Sequence, residues 1–268
     1  MAGLVEGRVA IIVDNTPFAL LVPANINMFM VSPEDAYLRW SGGSFIRLLR
    51  FGANFVAMLL PALYIALTSF HPEMLPTGLA LSIAATRENV PFPAYAEAFL
   101  MELSLELLRE AGIRLPGPIS QTIGIVGALV VGSAAVQASI VSPVMVIVVA
   151  FTAIAAFSTP TVSFSVAIRQ IRFLFMILAT FSGIYGIMLG LLLLVSHVAT
   201  LKSFGLGYVE PFAPLSLSDL KDVMIRLPLP AMHTRPSILG VDDAVRMQDR
   251  RQNDLQREAD SDHYEDKS

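Results

Sequence analysis

The chain has 268 residues, of which 54% are hydrophobic and only 15% are charged, and its mean hydropathy is +0.64. A soluble domain usually carries about 25% charged residues, so this composition argues against a soluble enzyme and indicates burial in a lipid bilayer. The net charge of −4 provides no basic excess for nucleic-acid binding. The absence of cysteine excludes disulfides, thiol chemistry and cysteine-ligated zinc.

Two β-rich runs near the N-terminus, 8–13 and 18–22, flank the turn-forming sequence 14–17, Asp-Asn-Thr-Pro. This arrangement predicts a β-hairpin at or above the membrane surface. A helix start is predicted next, because Ser32 can cap a helix and Pro33 suits its first turn.

Four apolar segments predict an all-α integral membrane protein with a short N-terminal β-hairpin. Segment 51–70 has no charged residue and the ~20 residues that a bilayer requires. Pro61 predicts a kink there, which is tolerated where a neighbouring helix covers the freed carbonyl. No charged residue and no histidine occurs between Leu115 and Ile168. The predicted spans are 51–70, 119–136, 143–158 and 173–201. The predicted divisions are 1–31 for the hairpin segment, 32–239 for the helical transmembrane domain and 240–268 for a disordered charged tail.

Residues 94–111 predict an amphipathic helix that lies at the membrane interface rather than crossing it. Glu102, Glu106 and Glu110 recur four residues apart and therefore share one face. This face is either an acidic vestibule that concentrates cations near a pore entrance, or a solvated surface that is partly compensated by Arg109.

Basic residues predict the orientation. Arg47 and Arg50 precede the first span and Lys202 follows the last, so four spans place both ends in the cytoplasm. Arg169 and Arg172 conflict with this arrangement, because it leaves them on the opposite side.

The predicted span 119–136 mixes small and bulky residues and allows two interpretations. Small residues permit close packing between membrane helices, which makes the span a helix–helix seam. Alternatively, the span lines the pore of an oligomer and gates it with an aliphatic constriction. The pore-lining candidates are Gln121, Ile125, Val126, Leu129 and Gly132.

Motifs of catalysis are absent from the sequence. The four histidines are widely separated and form no pair with metal-ligand spacing. There is no Gly-x-Ser-x-Gly motif and no phosphate-binding glycine loop. We expect no catalytic residue, no metal site and no cofactor.

Several stretches match a known family in order over residues 4–236. They include Glu6-Gly-Arg-Val-Ala-Ile-Ile-Val-Asp14, Leu60-Pro-Ala-Leu-Tyr-Ile-Ala-Leu-Thr68, Leu108-Arg-Glu-Ala-Gly-Ile-Arg114 and Gln121-Thr-Ile-Gly-Ile-Val-Gly127. Together they resemble the membrane domain of the A subunits of spore germinant receptors, the GerA family.

The resemblance implies a membrane subunit of a nutrient germinant receptor in the inner membrane of the spore. Such a subunit is expected to assemble with a transporter-like B subunit and a lipoprotein C subunit, and to form an oligomeric cation channel. The alternatives are a non-conducting scaffold or accessory sporulation protein, and a secondary transporter, which the lack of repeat-related spans disfavours. Family A subunits normally carry a soluble domain before the Glu-Gly-Arg-Val motif, so we expect a fragment, a split gene or a mis-called start.

Overall fold

The computed structural model describes residue 4, residues 8–113, residue 127, residues 130–215, residues 223–226 and residue 228. The described chain is mainly helical and forms two compact units. The first consists of Met1–Leu48 with Val198–Ser268, and the second of Leu49–His197.

The predicted β-hairpin is confirmed in the first unit. Strands β1 (Val9–Ile12) and β2 (Ala19–Val22) pair antiparallel, with Val9 opposite Val22. Asn15 adopts a positive φ of 65° in the turn, a conformation that asparagine tolerates better than most residues. The Thr16 hydroxyl closes the turn by donating to the Val13 carbonyl at 2.9 Å.

A short helix, α1 (Ile26–Met30), and a 3-10 turn (Pro33–Ala36) follow the β-hairpin. The predicted helix start at Ser32 is therefore correct in position, but it opens only one tight turn. The Asp35 carboxylate accepts a hydrogen bond from the Ser32 amide at 3.1 Å, which caps that turn.

The chain returns to the first unit after residue 198. Strands β3 (Lys202–Ser203) and β4 (Leu206–Gly207) form a second small antiparallel pair. The Ile26 amide donates to the Tyr208 carbonyl, and the Asn27 side chain donates to the Glu210 carbonyl, each at 2.9 Å. These bonds join α1 to the returning segment.

Longer helices build the rest of the fold, and apolar side chains from several of them form its core. The helices are α2 (Trp40–Ser69), α3 (Thr77–Arg87), α4 (Ala94–Ile113), α5 (130–137), α6 (Pro143–Phe157) and α7 (Val162–Thr200). The largest buried apolar side chains include Ile65, Met145, Phe175 and Met176.

Within the described residues, two helices are long and apolar enough to cross a membrane. They are α2, with 30 residues, and α7, with 39. Helix α6 is apolar but has only 15 residues, and most of the predicted span 119–136 lies outside the described residues. The predicted count of four transmembrane helices is therefore not confirmed.

Helix α7 is broken at Gly183, whose φ of 58° and ψ of −135° are not helical. A Cβ placed on Gly190 would lie 2.9 Å from Cε1 of Phe175. In a straight helix these two residues would stand about 22 Å apart along the axis. The two arms, α7a (162–182) and α7b (184–200), therefore fold back on each other as a helical hairpin. The predicted span 173–201 stays a prediction, and the Gly183 turn shows that this segment is not one straight helix.

Glycine makes the close packing of the two arms possible. A Cβ on Gly186 would collide with the carbonyl oxygen of Leu178, and one on Gly190 would lie 2.7 Å from the Leu178 side chain. The buried residues of α7 include Gly183, Gly186 and Gly190. Small residues let two backbones approach where larger side chains would separate them.

A buried ionic junction as candidate functional site

The junction begins at Pro61 in the middle of α2. Proline lacks an amide hydrogen, so the carbonyl four residues earlier, that of Ala57, loses its helical partner. The guanidinium of Arg172 on α7a takes that place, with its Nε donating to the Ala57 carbonyl at 2.7 Å. The sequence analysis named cover by a neighbouring helix as the condition under which Pro61 is tolerated, and Arg172 of α7a meets that condition.

Arg172 also forms an ion pair with α4. Its Nη1 donates to Oε2 of Glu102 at 2.5 Å, and each side chain is only 2% exposed. One guanidinium therefore joins the backbone of α2 to a carboxylate on α4. A planar guanidinium suits this role because its several N–H groups point in fixed directions.

Three further charged groups surround this pair. The Glu106 carboxylate accepts from Nη1 of Arg109 at 3.1 Å and lies 3.5 Å from Nε of Arg169. Burial raises the pKa of the Glu102 carboxyl, against the lowering influence of Arg172. The ionised carboxylate is therefore held at a cost in desolvation, which the neighbouring guanidinium groups partly offset.

The junction is only partly satisfied by hydrogen bonds. Oε1 of Glu102, Nη2 of Arg172 and Nε of Arg169 are buried and have no hydrogen-bond partner among the residues that the structure describes. An unsatisfied buried polar atom costs about 1–3 kcal/mol, and more if it is charged. The arrangement is consequently less stable than a fully paired network would be.

A second buried network contains Glu97, which the sequence analysis did not single out. Its carboxylate accepts from the Ser142 amide at 2.9 Å and from Nε of Arg87 at 3.0 Å. The Ser142 hydroxyl caps α6 by accepting from the Met145 amide at 3.3 Å, and it lies 3.2 Å from the Tyr64 hydroxyl. This network ties together α2, α3, α4 and α6. The only sign of this network in the sequence is a single glutamate, Glu97, on the apolar side of α4.

The three predicted vestibule glutamates occupy different environments. Glu102 is buried in the junction, Glu106 is partly exposed and ion-paired, and Glu110 is exposed. The stripe is thus not one uniformly solvated face. A vestibule role for these residues stays a prediction.

Four of the five pore-lining candidates, Gln121, Ile125, Val126 and Leu129, lie outside the described residues. Gly132 is buried on α5, and a Cβ there would lie 3.4 Å from Cγ1 of Val146 on α6. The exposed positions of α5 include Ser133, Ala134 and Gln137. The pore role of the five candidates stays a prediction.

No group of three or more histidine, aspartate or glutamate side chains that could hold a metal ion occurs in the described part of the chain. The chemistry that the junction offers is therefore electrostatic. It can hold three helices in one arrangement, and it can release them if the ion pair is solvated.

These features define a mainly helical protein with two helices long enough to cross a bilayer and a charged junction buried between helices. Residues 1–238 match the family described as Bacillus/Clostridium GerA spore germination protein. The chain belongs to this family of spore germination proteins.

Three relatives, all from Bacillus subtilis (strain 168), illustrate the match. Spore germination protein KA is 49% identical over 243 residues, which cover 91% of this chain and 45% of the relative. Spore germination protein B1 is 49% identical over 245 residues, 91% of this chain and 51% of the relative. The uncharacterized membrane protein YfkQ is 48% identical over 235 residues, 88% of this chain and 46% of the relative. The chain thus spans about half the length of these relatives. No solved structure matches it.

Proposed function

We propose that the chain is a membrane subunit of a nutrient germinant receptor and forms an oligomeric cation channel in the spore inner membrane. In this proposal α5 and the residues before it line the ion path. The observation that carries the proposal is a contrast between the exposed faces of α5 and α7.

The exposed face of α7 is bulky and apolar. Phe181, Tyr185 and Leu192 are 79%, 77% and 65% exposed. Such a face suits acyl chains, because lipid is as apolar as the side chains themselves. It supports insertion of the helical hairpin in a membrane.

The exposed face of α5 is less bulky and partly polar. Ser133, Ala134 and Gln137 are exposed beside Val130 and Val131, which are 55% and 36% exposed. Polar side chains within a membrane usually face a water-filled cavity or another protein surface rather than lipid. In an oligomer these positions would face either the central pore or the neighbouring subunit. This contrast favours α5 over α7 as the helix that borders the ion path.

The helical hairpin also suggests an orientation. Arg172 contacts α2 at Ala57, and Gly183 lies against Phe70 at the end of α2. Helix α7a therefore runs in the same direction as α2. If the Arg50 end of α2 faces the cytoplasm, Arg172 lies towards that side and the Gly183 turn towards the other, which removes the conflict with the positive-inside tendency.

Assembly with a transporter-like B subunit and a lipoprotein C subunit is part of the proposal. It is supported by the family resemblance and by relatives that are named as spore germination proteins. A role without catalysis is proposed on the same grounds.

The channel is tested by reconstituting the assembled protein in lipid bilayers and recording current. Ser133→Leu and Gln137→Leu are expected to reduce conductance by about tenfold, because added apolar surface promotes dewetting of a narrow pore. Ser196→Leu is the matched control, since Ser196 is an exposed serine on α7b. The conductance of the Ser196→Leu protein should equal that of the unmodified protein. Equal effects at Ser133 and Ser196 would contradict the assignment of α5 to the ion path.

A second candidate is a non-conducting scaffold that clusters other germination proteins. The packing of two glycines favours this candidate over a pore. A Cβ on Gly127 would lie 2.8 Å from Leu108 of α4, and one on Gly132 would lie 3.4 Å from Val146 of α6. These glycines serve contacts within one chain. A scaffold predicts no current from the assembled protein under any nutrient condition.

A further inference from the structure

We propose that Arg172 is a latch that holds α2, α4 and α7a in one arrangement, by donating to the carbonyl that Pro61 leaves free while Glu102 anchors its guanidinium. Its effect on ion passage rests on the proposed channel function. The coupling of the three helices does not.

The guanidinium of Arg172 bonds to two helices at once. Nε of Arg172 serves the Ala57 carbonyl at 2.7 Å, and Nη1 serves Glu102 at 2.5 Å. Because both groups are held by one planar fork, α4 cannot shift away from α7a without disturbing the bond to α2. The carbonyl that Pro61 leaves free in α2 and the position of α4 are therefore linked through a single side chain.

The latched state buries polar atoms without satisfying them, which is unfavourable in free energy. Oε1 of Glu102 and Nη2 of Arg172 are buried and lack hydrogen-bond partners among the described residues. Water that entered the junction would solvate both atoms and weaken the attraction between the charges. These unsatisfied atoms reduce the free-energy gap between the paired junction and a solvated, released one, and so favour two-state behaviour.

Two of the joined helices contain a backbone break, one turn from Ala57 in α2 and at the far end of α7a from Arg172. Pro61 interrupts the hydrogen bonding of α2, and Gly183 interrupts α7 with a positive φ. Sharp helix bends occur at breaks of this kind. Release of Arg172 would let α2 change its bend and let α7a move about the Gly183 turn.

The coupling is tested by a double-mutant cycle that combines Pro61→Ala with Arg172→Met. Glu102 is native in all four proteins, so the cost of leaving its carboxylate without Arg172 is the same in both backgrounds and cancels in the cycle. Restoring the amide at position 61 gives the Ala57 carbonyl a helical partner, so Arg172 is no longer needed there. We expect Arg172→Met to raise the unfolding equilibrium constant in detergent at least about tenfold more when Pro61 is native than in the Pro61→Ala background.

The cycle has a clear negative outcome. An equal loss of stability with native Pro61 and with Pro61→Ala would overturn the proposal. Recovery of folded Arg172→Met protein only when Pro61→Ala is also present would support it. If Arg172→Met is recovered in neither background, Arg172→Lys with native Glu102 is compared by the same criterion, because lysine keeps the charge but not the fork.

Control of ion passage is tested in the reconstituted protein without nutrient. Glu102→Gln should raise resting current several-fold over Glu88→Gln, a control at an exposed glutamate directly after α3. Equal resting currents in the two variants would overturn the latch even if the unmodified protein conducts. A protein that conducts in no condition would refute the channel, and the double-mutant cycle would then decide whether Arg172 couples the helices.

Discussion

Arg172 carries out a task that backbone amides perform elsewhere in a helix. The Ala57 carbonyl would be an unsatisfied acceptor in an apolar interior, and the guanidinium supplies the missing donor. A buried cation is itself costly, so the site also needs the carboxylate of Glu102. The three residues Pro61, Arg172 and Glu102 thus depend on one another. Substitution of any one of them should change what the other two contribute to stability.

Replacement of Gly183 should strongly disturb the second unit. In Gly183→Ala the new side chain would be forced into a positive φ, and its Cβ would lie 2.9 Å from Cβ of Phe70. We expect a loss of about 1–3 kcal/mol from the backbone strain alone. Thermal unfolding in detergent measures this as a lower Tm, by about 2–4 °C for each kcal/mol.

Gly52→Ala is the matched control for this prediction. Gly52 lies in α2, and nothing stands within 4 Å of the position that a Cβ would occupy. Alanine is favoured over glycine in a helix by about 0.5–1 kcal/mol, so Tm should stay the same or rise. A Gly183→Ala protein as stable as Gly52→Ala would show that the turn does not need glycine.

Among the elements, α4 shows where sequence patterning reaches its limit. Its helical extent was predicted from periodicity, and the observed helix, Ala94–Ile113, agrees closely. Its surroundings were not predictable, because the partners of Glu97 and Glu102 are Ser142 and Arg172, far along the chain. Local spacing records which residues share a face, but it does not record what that face contacts.

Helix α7 shows a different limit. Its apolar composition predicted a span, but hydropathy is the same for a kinked helix and for a helical hairpin. The reversal depends on a positive φ at Gly183 and on close approach at Gly186 and Gly190. These features depend on packing between the two arms, which the local sequence pattern does not specify.

The helical hairpin is tested by cysteine labelling in membranes, since the chain contains no native cysteine. Ser163, Ser182 and Ser196 are exposed serines near the start, the turn and the end of α7. A membrane-impermeant thiol reagent should label Ser163→Cys and Ser196→Cys from one side and Ser182→Cys from the other. Labelling of positions 163 and 196 from opposite sides would indicate a single crossing.

At the scale of the whole molecule, the main surface feature is a set of bulky apolar side chains on the exposed faces of α6 and α7. Phe151, Phe157, Phe181 and Tyr185 are each at least 60% exposed. Exposed apolar surface of this extent is unusual for a soluble monomer. It was foreseeable from composition alone, because the fraction of charged residues is too small to cover the molecule.

Membrane integration of the whole chain is tested by fractionation. The protein should stay in the membrane pellet after an alkaline carbonate wash, which strips peripheral proteins, and should enter solution only with detergent. Release by carbonate would contradict the proposed membrane location. A peripheral protein in the same preparation serves as the control for complete stripping.

The reversal at Gly183 has a consequence for biogenesis. Between Phe173 and Leu201 the chain has no lysine, arginine, aspartate or glutamate, so the segment that carries the turn contains none of the groups that are most costly to move into hydrocarbon. The two arms can enter the bilayer together as a preformed pair, with their close glycine contacts already made. In the proposed orientation, the charged flanks at Arg172 and Lys202 stay on one side of the membrane, and only an uncharged loop is translocated.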